Sequence, residues 1–545
     1  MARKKKQPKK LAVFDIETDP FLYGREPRPF CLGFFDGELY REWWGPDCVA
    51  RFIEFLAECE QPYIIYAHNG GKFDFFYLLR DGVIENPIKI INGRIVKAKI
   101  GIHELRDSYA IIPVPLAAYQ KDSIDYQLFE ADKREANKNE ILHYLAKDCE
   151  YLFELVARFV DRFGYQLTIG GTAIKQLQEF HPFPIGGRAH DDRFRPFYFG
   201  GRVSTFEMGE LKGAFKVFDV NSMYPAVMRN ALHPLGQSYA VYNDAKYLTA
   251  GGFLRDGKMN RPYFLHFTGA NRGALPTRTK DGLTFGLEYG EFFACHHEVK
   301  TALKYGLIRI DKVHSIIAAE QSTTFAGYVD NFIQEKIDGK REKNKVKELF
   351  AKLLLNSAYG KFAQNSDNYF DYFLTECGGA GIEWENYTEE TAPELFADYG
   401  LFEIWRTPST REAFFDVAVA ASVTSAARAV LLEAMQNATR PVYCDTDSII
   451  CEALDGVEID PVKLGAWDLE AEGDSLAVAG KKMYALFQDG REVKRASKGV
   501  RVSGDAIREM CRGLTVTHEN DAPTFKLNGQ IKFVKRRVRM LDKKI

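Results

Sequence analysis

The chain has 545 residues, enough for several packed units rather than one core. Its 46% apolar and 27% charged residues are ordinary for a soluble globular protein, and a formal net charge of −2 excludes a uniformly basic surface. Nine cysteines, an odd number with no C-x-x-C pair, argue against a disulfide framework and for a reducing compartment. Cys295-His296-His297 has no neighbours in sequence that complete a zinc ligand set. The charge is unevenly spread: residues 1–10 carry six bases and no acid, 526–545 carry eight bases against Asp542, and 336–352 carry seven bases against three acids. Residues 376–403, conversely, hold eight acids and no base. Local basic runs are the footprint that a polyanionic partner requires. No segment is expected to span a membrane: the most apolar stretch, Val417–Leu432, is rich in Ala and Ser, contains Arg428 and reads as a buried helix. The basic N-terminus lacks the apolar run of a signal peptide.

In chain order, Leu11–Ile16 reads as a strand, and Asp15 and Glu17, two apart, point to one face of it. Tyr63–Ala67 is a second strand, running into the loop His68-Asn69-Gly70-Gly71 with Asp74 just beyond. Ile141–Phe159 has helical spacing, and Tyr144 and Asp148 share one of its faces. Convergent carboxylates bind hard cations such as Mg²⁺. These acids with a tyrosine suit two-metal phosphodiester hydrolysis, in which the phenol orients the water. Gly170–Gly187, with its prolines, reads as a boundary between units. Ala214–Val220 is a strand with Asp219 at its end, entering a turn at Pro225. Asn331–Ala358 is a long helical region with a candidate break at Gly339. There Lys352, Asn356 and Tyr359 share a face, offering a cation, an amide and a ring, and Lys340 could supply a second phosphate contact. Pro441–Cys451 is a strand pair around a tight acidic turn, with Asp445 and Asp447 again two apart. Asp219 with this pair could seat two Mg²⁺ ions around a nucleoside triphosphate and a primer 3′-hydroxyl.

In the first 170 residues, Phe14-Asp15-Ile16-Glu17-Thr18, the stretch Asn69 to Asp74, and Tyr144-Leu145-Ala146-Lys147-Asp148 resemble the three motifs of the DnaQ-like exonuclease domain of family B DNA polymerases. Lys121-Asp122-Ser123-Ile124-Asp125-Tyr126 resembles a further block of the protein-primed branch, whose lysine assists hydrolysis. Ser108-Tyr109 is the nearest match to that branch's Ser/Thr-Leu pair for single-stranded DNA, and departs from it. Asp219 to Pro225, Lys352 to Gly360 and Tyr443 to Ser448 resemble polymerase motifs A, B and C. The resemblance implies that Asp219, Asp447 and the Val220 carbonyl hold catalytic metal with Asp445 in support, and that Tyr224 is a steric gate against a ribose 2′-hydroxyl. Thr424 to Arg428 is similar to the T-x-x-A-R template block, Tyr198-Phe199-Gly200-Gly201 to the Y-x-G-G linking block, and Lys482-Met483-Tyr484 to the K-x-Y block that holds the primer end. By the same resemblance Thr18, Asn69, Phe73, Tyr198, Gly200, Gly201, Ser222, Thr424, Arg428, Thr446, Lys482, Tyr484 and Lys498 contact DNA, and Tyr224, Lys340, Lys352, Asn356 and Tyr359 contact the nucleotide.

The expected fold is α/β plus α+β: an RNase H-like (DnaQ-like) exonuclease domain at 1–168, then a right-hand polymerase with two insertions. These are palm at 169–230, a first insertion at 231–327, fingers at 328–363, a second insertion at 364–412, returning palm at 413–500 and thumb at 501–545. Insertions at these two places mark the protein-primed phage, adenovirus and linear-plasmid branch. There the first insertion contacts a terminal protein and DNA, and the second helps encircle DNA. The expected partners are a primer–template, deoxynucleotides and a terminal protein, with two Mg²⁺ (or Mn²⁺) ions per site and a monomeric chain in the cytoplasm of a host cell. The acidic stretch 376–403 is expected to be a functional insertion with an outward-facing tip. Three other readings compete: a family B enzyme extending nucleic-acid primers, a nuclease whose polymerase half only binds DNA, and a replication scaffold. The last two conflict with the intact acids Asp219, Asp445 and Asp447.

Overall fold

The computed structural model describes residues 7–183, 186–255, 257, 261–280, 282–409 and 416–540. The basic residues 1–6 and 543–544, and 410–415 where the second insertion was expected to meet the palm, lie outside the described residues.

The first 107 residues build a seven-stranded sheet in the order Tyr40–Trp44, Pro29–Phe35, Lys10–Thr18, Tyr63–Ala67, His103–Asp107, Arg94–Ile100, Glu85–Ile91. Its centre is parallel, Lys10–Thr18 beside Tyr63–Ala67 beside His103–Asp107, and the flanks are antiparallel. Alternation along Lys10–Thr18 decides what packs where. Ala12 and Phe14 join the core built with Phe52 and Phe75, whereas Val13 faces the side of Tyr144, Leu145 and Leu152 on the helix Lys138–Phe163. Asp15 and Glu17 have the parity of Val13, so they point toward that helix.

A second seven-stranded sheet runs Arg491–Ser497, Met483–Gln488, Trp467–Gly480, Gly209–Val220, Ser448–Cys451, Tyr443–Asp445, Val203–Thr205. Phe218, Val220, Ile449 and Cys451 pack on the helices Met223–Asn230 and Val417–Asn437 behind it. Val417–Asn437 is long and apolar enough to cross a membrane, but 83% of its most apolar window is buried inside the protein, as a core helix is. The helices Ala326–Arg341 and Lys345–Phe362 form an antiparallel hairpin. The break falls at 342–344, just past Gly339, where Asn344 caps the second helix through its side chain.

Each insertion is built on a small sheet. The first is four-stranded, in the order His233–Tyr242, Ile308–Thr323, Tyr263–Asn271, Tyr289–Cys295, and the second is three-stranded, in the order Phe370–Thr375, Glu403–Pro408, Glu394–Asp398. The second sheet is tied to the N-terminal domain by two hydrogen bonds between the Asn86 side chain and the Leu374 backbone, at 2.8 and 2.9 Å. It meets the C-terminal hairpin Val516–Phe525/Ile531–Val538 where Tyr399 Oη donates to the Leu527 carbonyl at 2.7 Å. Phe525 of that hairpin packs on Phe76 of the N-terminal domain at 4.7 Å between ring centroids. In the acidic stretch Glu403 turns inward, accepting from the Gly378 and Gly379 amides and the Trp405 indole, while Glu383, Glu385, Glu389 and Glu390 are exposed.

Gly170–Gly187 departs from the sequence reading. Ile169–Phe180 is a helix, capped by Thr168 Oγ1 accepting from the Gly171 amide at 3.1 Å. The glycines fall in its first turn, where the cap offsets their cost, and Ala173, Ile174 and Leu177 bury its inner face.

The loop that presents Asp74 depends on a glycine. A Cβ on Gly71 would collide with the Ile95 carbonyl oxygen in the neighbouring strand. Gly71→Ala is expected to destabilise the N-terminal domain by about 1–3 kcal/mol, the usual cost of overpacking. Gly187→Ala, where a Cβ meets nothing within 4 Å among the described residues, should leave the thermal melt unchanged. Equal melting temperatures for the two variants would refute the packing argument.

Candidate active sites

In the N-terminal domain, donor oxygens of Asp15, Glu17 and Asp148 lie within 4.8 Å of one another. Asp74, at the start of the helix Asp74–Arg80, accepts from the Ile16 amide at 3.2 Å and so closes the group. Asp15, Glu17 and Asp148 line a cavity of about 760 Å³ together with Thr18, Phe73, Lys121 and Tyr144. Burial, then the Asp148 charge, pushes Asp15 up to about 7. Burial and Asp15 push Glu17 and Asp74 well above the carboxylate range, and burial raises Asp148. Lys121 sits 3.4 Å from Asp148 and 5.4 Å from the Tyr144 ring centroid; burial disfavours its charge, but Asp148, Tyr126 and Asp15 outweigh that and hold it protonated. Burial raises the Tyr144 phenol, so it stays a neutral donor, 3.1 Å from Tyr126 Oη. Asp148 Oδ1 is buried with no hydrogen-bond partner among the described residues. An all-oxygen donor set, crowded beyond what its one cation offsets and containing an orphaned carboxylate oxygen, fits hard divalent cations.

On the second sheet, cross-strand register assembles the site. Ser448 stands opposite Asp219 on one side and opposite Asp445 on the other, and Asp468 stands opposite Asp219 across the next strand pair. Directly opposed residues share a face, so Asp468, Asp219, Ser448 and Asp445 form a row across the sheet. Asp447 sits in the turn, donating its amide to the Asp445 carbonyl. Burial, then the Asp447 charge, pushes Asp219 up to about 7, and burial also raises Asp447. Asp445 is otherwise engaged: its carboxylate accepts from Lys482 Nζ at 2.6 Å, from Thr446 Oγ1 at 3.1 Å and from Tyr443 Oη at 3.3 Å. Of Asp219, Asp445 and Asp447, Asp445 is thus the one whose carboxylate is already taken up by side-chain donors.

Several residues singled out in the sequence carry backbone strain. Asn69, Ser222, Thr446 and Lys482 all have positive φ, between 56° and 66°. Left-handed backbone at non-glycine residues is uncommon and gathers at functional sites. The Thr446 amide donates to the Arg202 carbonyl, and Gly201 lies so close to Thr446 that a Cβ there would be 2.7 Å from its Oγ1. Lys482 is in a turn rather than on a strand, yet it and Tyr484 converge on one neighbour: Tyr443 Oη accepts from the Lys482 amide, and the Tyr443 and Tyr484 rings are 5.1 Å apart. Lys498 is exposed beside this turn, its amide donating to the Lys482 carbonyl. On the helical hairpin Lys340, Lys352 and Asn356 are exposed, and Tyr359 stacks face to face on Tyr224 at 3.8 Å and 12°.

Two expected DNA contacts, Thr424 and Arg428, and the departing match Ser108 face the interior. Ser108 is fully buried, donating to the Ala67 carbonyl and paired with His68 at 3.0 Å, so it holds the loop before Asp74 from beneath. Thr424 is buried and returns its hydroxyl to the Ala420 carbonyl of its own helix. Arg428, 3% exposed, pairs with Glu298 at 2.7 Å through two nitrogens and donates to the Phe199 and Gly200 carbonyls. It positions the Tyr198–Gly201 loop from the protein side, and Tyr198 and Gly200 keep surface beyond it. The sequence reading missed Glu298, which stands 130 residues from its partner, and Asp468, whose place beside Asp219 is set by strand register.

A sheet bearing the paired acids, a helical hairpin over it, a C-terminal hairpin and a DnaQ-like N-terminal domain define a right-hand polymerase of the exonuclease-bearing class. The family described as DNA polymerase type B, organellar and viral, matches residues 115–449. The DNA-directed DNA polymerase of Enterobacteria phage PRD1 is 43% identical, with 98% of this chain and 99% of the relative covered. The DNA polymerase of Bacillus phage phi29 is 25% identical over 88% of this chain and 87% of its own length. Phi29 DNA polymerase solved with primer-template DNA and incoming nucleotide has a TM-score of 0.72 at 19% identity, covering 98% of this chain and 100% of that one. The chain belongs to the organellar and viral type B family, and it is a DNA-directed DNA polymerase of the phage, protein-primed type.

Arg428→Ala should cost about 3–5 kcal/mol, because it leaves Glu298 buried without a partner. Removing Glu298 as well should restore part of the loss. A single variant that melts with the wild type would show that the pair does not hold the loop.

Proposed function

We propose that this polymerase carries two separate phosphoryl-transfer sites: template-directed synthesis on the second sheet and 3′→5′ removal of mispaired ends in the N-terminal cavity. The carrying observation is the N-terminal constellation itself: Asp15, Glu17 and Asp148, with Lys121 and Tyr144, on one cavity wall, and Asp74 behind them on the Ile16 amide. Asp15, Glu17, Asp74 and Asp148 would hold two Mg²⁺ there, and Asp219, Asp447 and the Val220 carbonyl two more on the palm. When bound, the ions supply charge neutralisation at the phosphate and activation of the attacking oxygen. The chain's own groups do the rest. Tyr144, a neutral phenol, orients a water. Lys121, kept cationic, faces the charge that develops on the scissile phosphate. Phe73, on the cavity wall, offers a stacking surface for an unpaired base.

On the palm, Lys482 neutralises Asp445 and, with Tyr484, borders the place of the primer end. Lys340 and Lys352 reach solvent on the fingers, where a triphosphate would enter. Tyr224 lies against the sugar position and excludes a 2′-hydroxyl by occupying its volume. A terminal protein supplies the first hydroxyl, docking on the first insertion. The second insertion, joined to the N-terminal domain through Asn86 and to the C-terminal hairpin through Tyr399, surrounds the product duplex and supports strand displacement.

Because the two sets of acids belong to different parts of the chain, Asp15→Ala with Asp74→Ala should abolish degradation of single-stranded 3′ ends and leave primer extension largely intact. Asp447→Ala should do the reverse. Loss of both activities in either folded variant would sink the two-site reading. Tyr224→Val should raise ribonucleotide use relative to deoxynucleotide use, read as the ratio of the two kcat/KM values, and an unchanged ratio would remove Tyr224 from the gate.

A further inference from the structure

The first insertion holds a cluster that neither active site uses. His266 on the strand Tyr263–Asn271, Glu291 on Tyr289–Cys295 and His314 on Ile308–Thr323 each bring one donor atom within 4.8 Å of the others. They are far apart in sequence, and sheet register unites them. His266 pairs with Phe293 and Thr268 with Glu291, so His266 and Glu291 are diagonal neighbours on one face. On the other side Phe267 pairs with Val313 but His266 pairs with Ser315, so His314 is the extra residue of a bulge, beside His266. The His266 and His314 rings stack at 4.5 Å, and Phe293 stacks on His266 at 4.1 Å. His266 Nε2 meets Glu291 Oε1, and His314 Nε2 lies 2.8 Å from Thr268 Oγ1.

We propose that His266, Glu291 and His314 form a binding site for a divalent transition-metal ion of the zinc class. Two imidazoles and a carboxylate are a ligand set for Zn²⁺, Co²⁺ or Ni²⁺ and a poor one for Mg²⁺, which prefers all-oxygen sites. Three protein ligands leave a coordination position open to solvent or to a partner's side chain. Thr268 fits the second part such sites need, since an oxygen on the other ring nitrogen fixes a histidine's tautomer and orientation. The bulge supplies the geometry, because without the extra residue His314 would point to the opposite face. A bound ion would clamp three adjacent strands. It would also stand behind Phe293, whose ring meets Phe197 at 5.4 Å, one residue before the Tyr198–Gly201 loop.

The test is a Co²⁺ titration of the full-length chain in excess Mg²⁺, which occupies the all-oxygen sites. Ligand-field absorption reports nitrogen coordination, and Zn²⁺ competition reports affinity. One equivalent of Co²⁺ should bind with histidine-type absorption and be displaced by Zn²⁺. Glu291→Gln, at an exposed position, and His266→Ala with His314→Ala should each abolish that equivalent. Thr268→Val should weaken affinity by about tenfold to a hundredfold, the usual effect of removing a group that orients a ligating histidine. Circular dichroism and melting of each variant in metal-free buffer, matching wild type, keep misfolding apart from ligand loss. Retention of the absorption in the Glu291 and double-histidine variants would place the metal elsewhere and overturn the proposal. So would the absence of any Co²⁺ or Zn²⁺ uptake by the wild type against the Mg²⁺ background.

Discussion

Like charges held face to face repel, and both sites of this chain are built to prevent their acids from relaxing apart. In the N-terminal domain the backbone of one strand fixes Asp15 and Glu17, the Lys138–Phe163 helix brings Asp148, and the Ile16 amide holds Asp74. In the palm, three strands set Asp219 beside Asp468 and within reach of Asp447. Burial, and after it the neighbouring acid's charge, raises the carboxyl groups of Asp15 and Asp219 to about 7. Rigid sheets beneath, strained turns at Asn69, Ser222, Thr446 and Lys482, and close-packed glycines at Gly71 and Gly201 all serve this one requirement. Each left-handed residue costs of order 1–3 kcal/mol and persists because the surrounding packing leaves no alternative.

The buried Arg428–Glu298 pair shows how the first insertion became part of the polymerase body. Glu298 belongs to the helix His296–Lys304 of the insertion, Arg428 to the palm's core helix, and the guanidinium's remaining hydrogens reach the linking loop at Phe199 and Gly200. A buried pair of this kind gains little over a well-packed apolar contact, but losing either member is severe. Its use here is registration: a planar fork with fixed donors sets three separate segments in one orientation.

Much of the site was legible in the sequence because its signals are local. Two acids two residues apart on a strand share a face whatever the rest of the chain does, so Asp15 with Glu17 needed no structure, and the same holds for Tyr144 with Asp148 on a helix. The Pro441–Cys451 turn and the helical hairpin followed from spacing too. What escaped is non-local or depends on depth. No spacing rule places Asp468 beside Asp219 or Glu298 beside Arg428, and the histidine cluster of the first insertion exists only through strand register and a bulge. Thr424, Arg428 and Ser108 carry the chemistry of DNA contacts, yet they are buried; polar side chains announce their hydrogen-bonding capacity, not which side of the surface they will use it on. Glycines and prolines around 170–187 suggested a boundary, and a side-chain cap at Thr168 made a helix of its first part.

The Tyr224–Tyr359 stack, 3.8 Å apart and nearly parallel, leaves no space between the two rings. Under the function proposed above, both rings belong to the nucleotide's pocket. A nucleotide that had to part them would bind with its affinity for the parted form scaled by the fraction of molecules in that form. Such a threshold would be common to all four bases. Selection among them would begin only once it is crossed, when the template base can reward the correct partner and not the others.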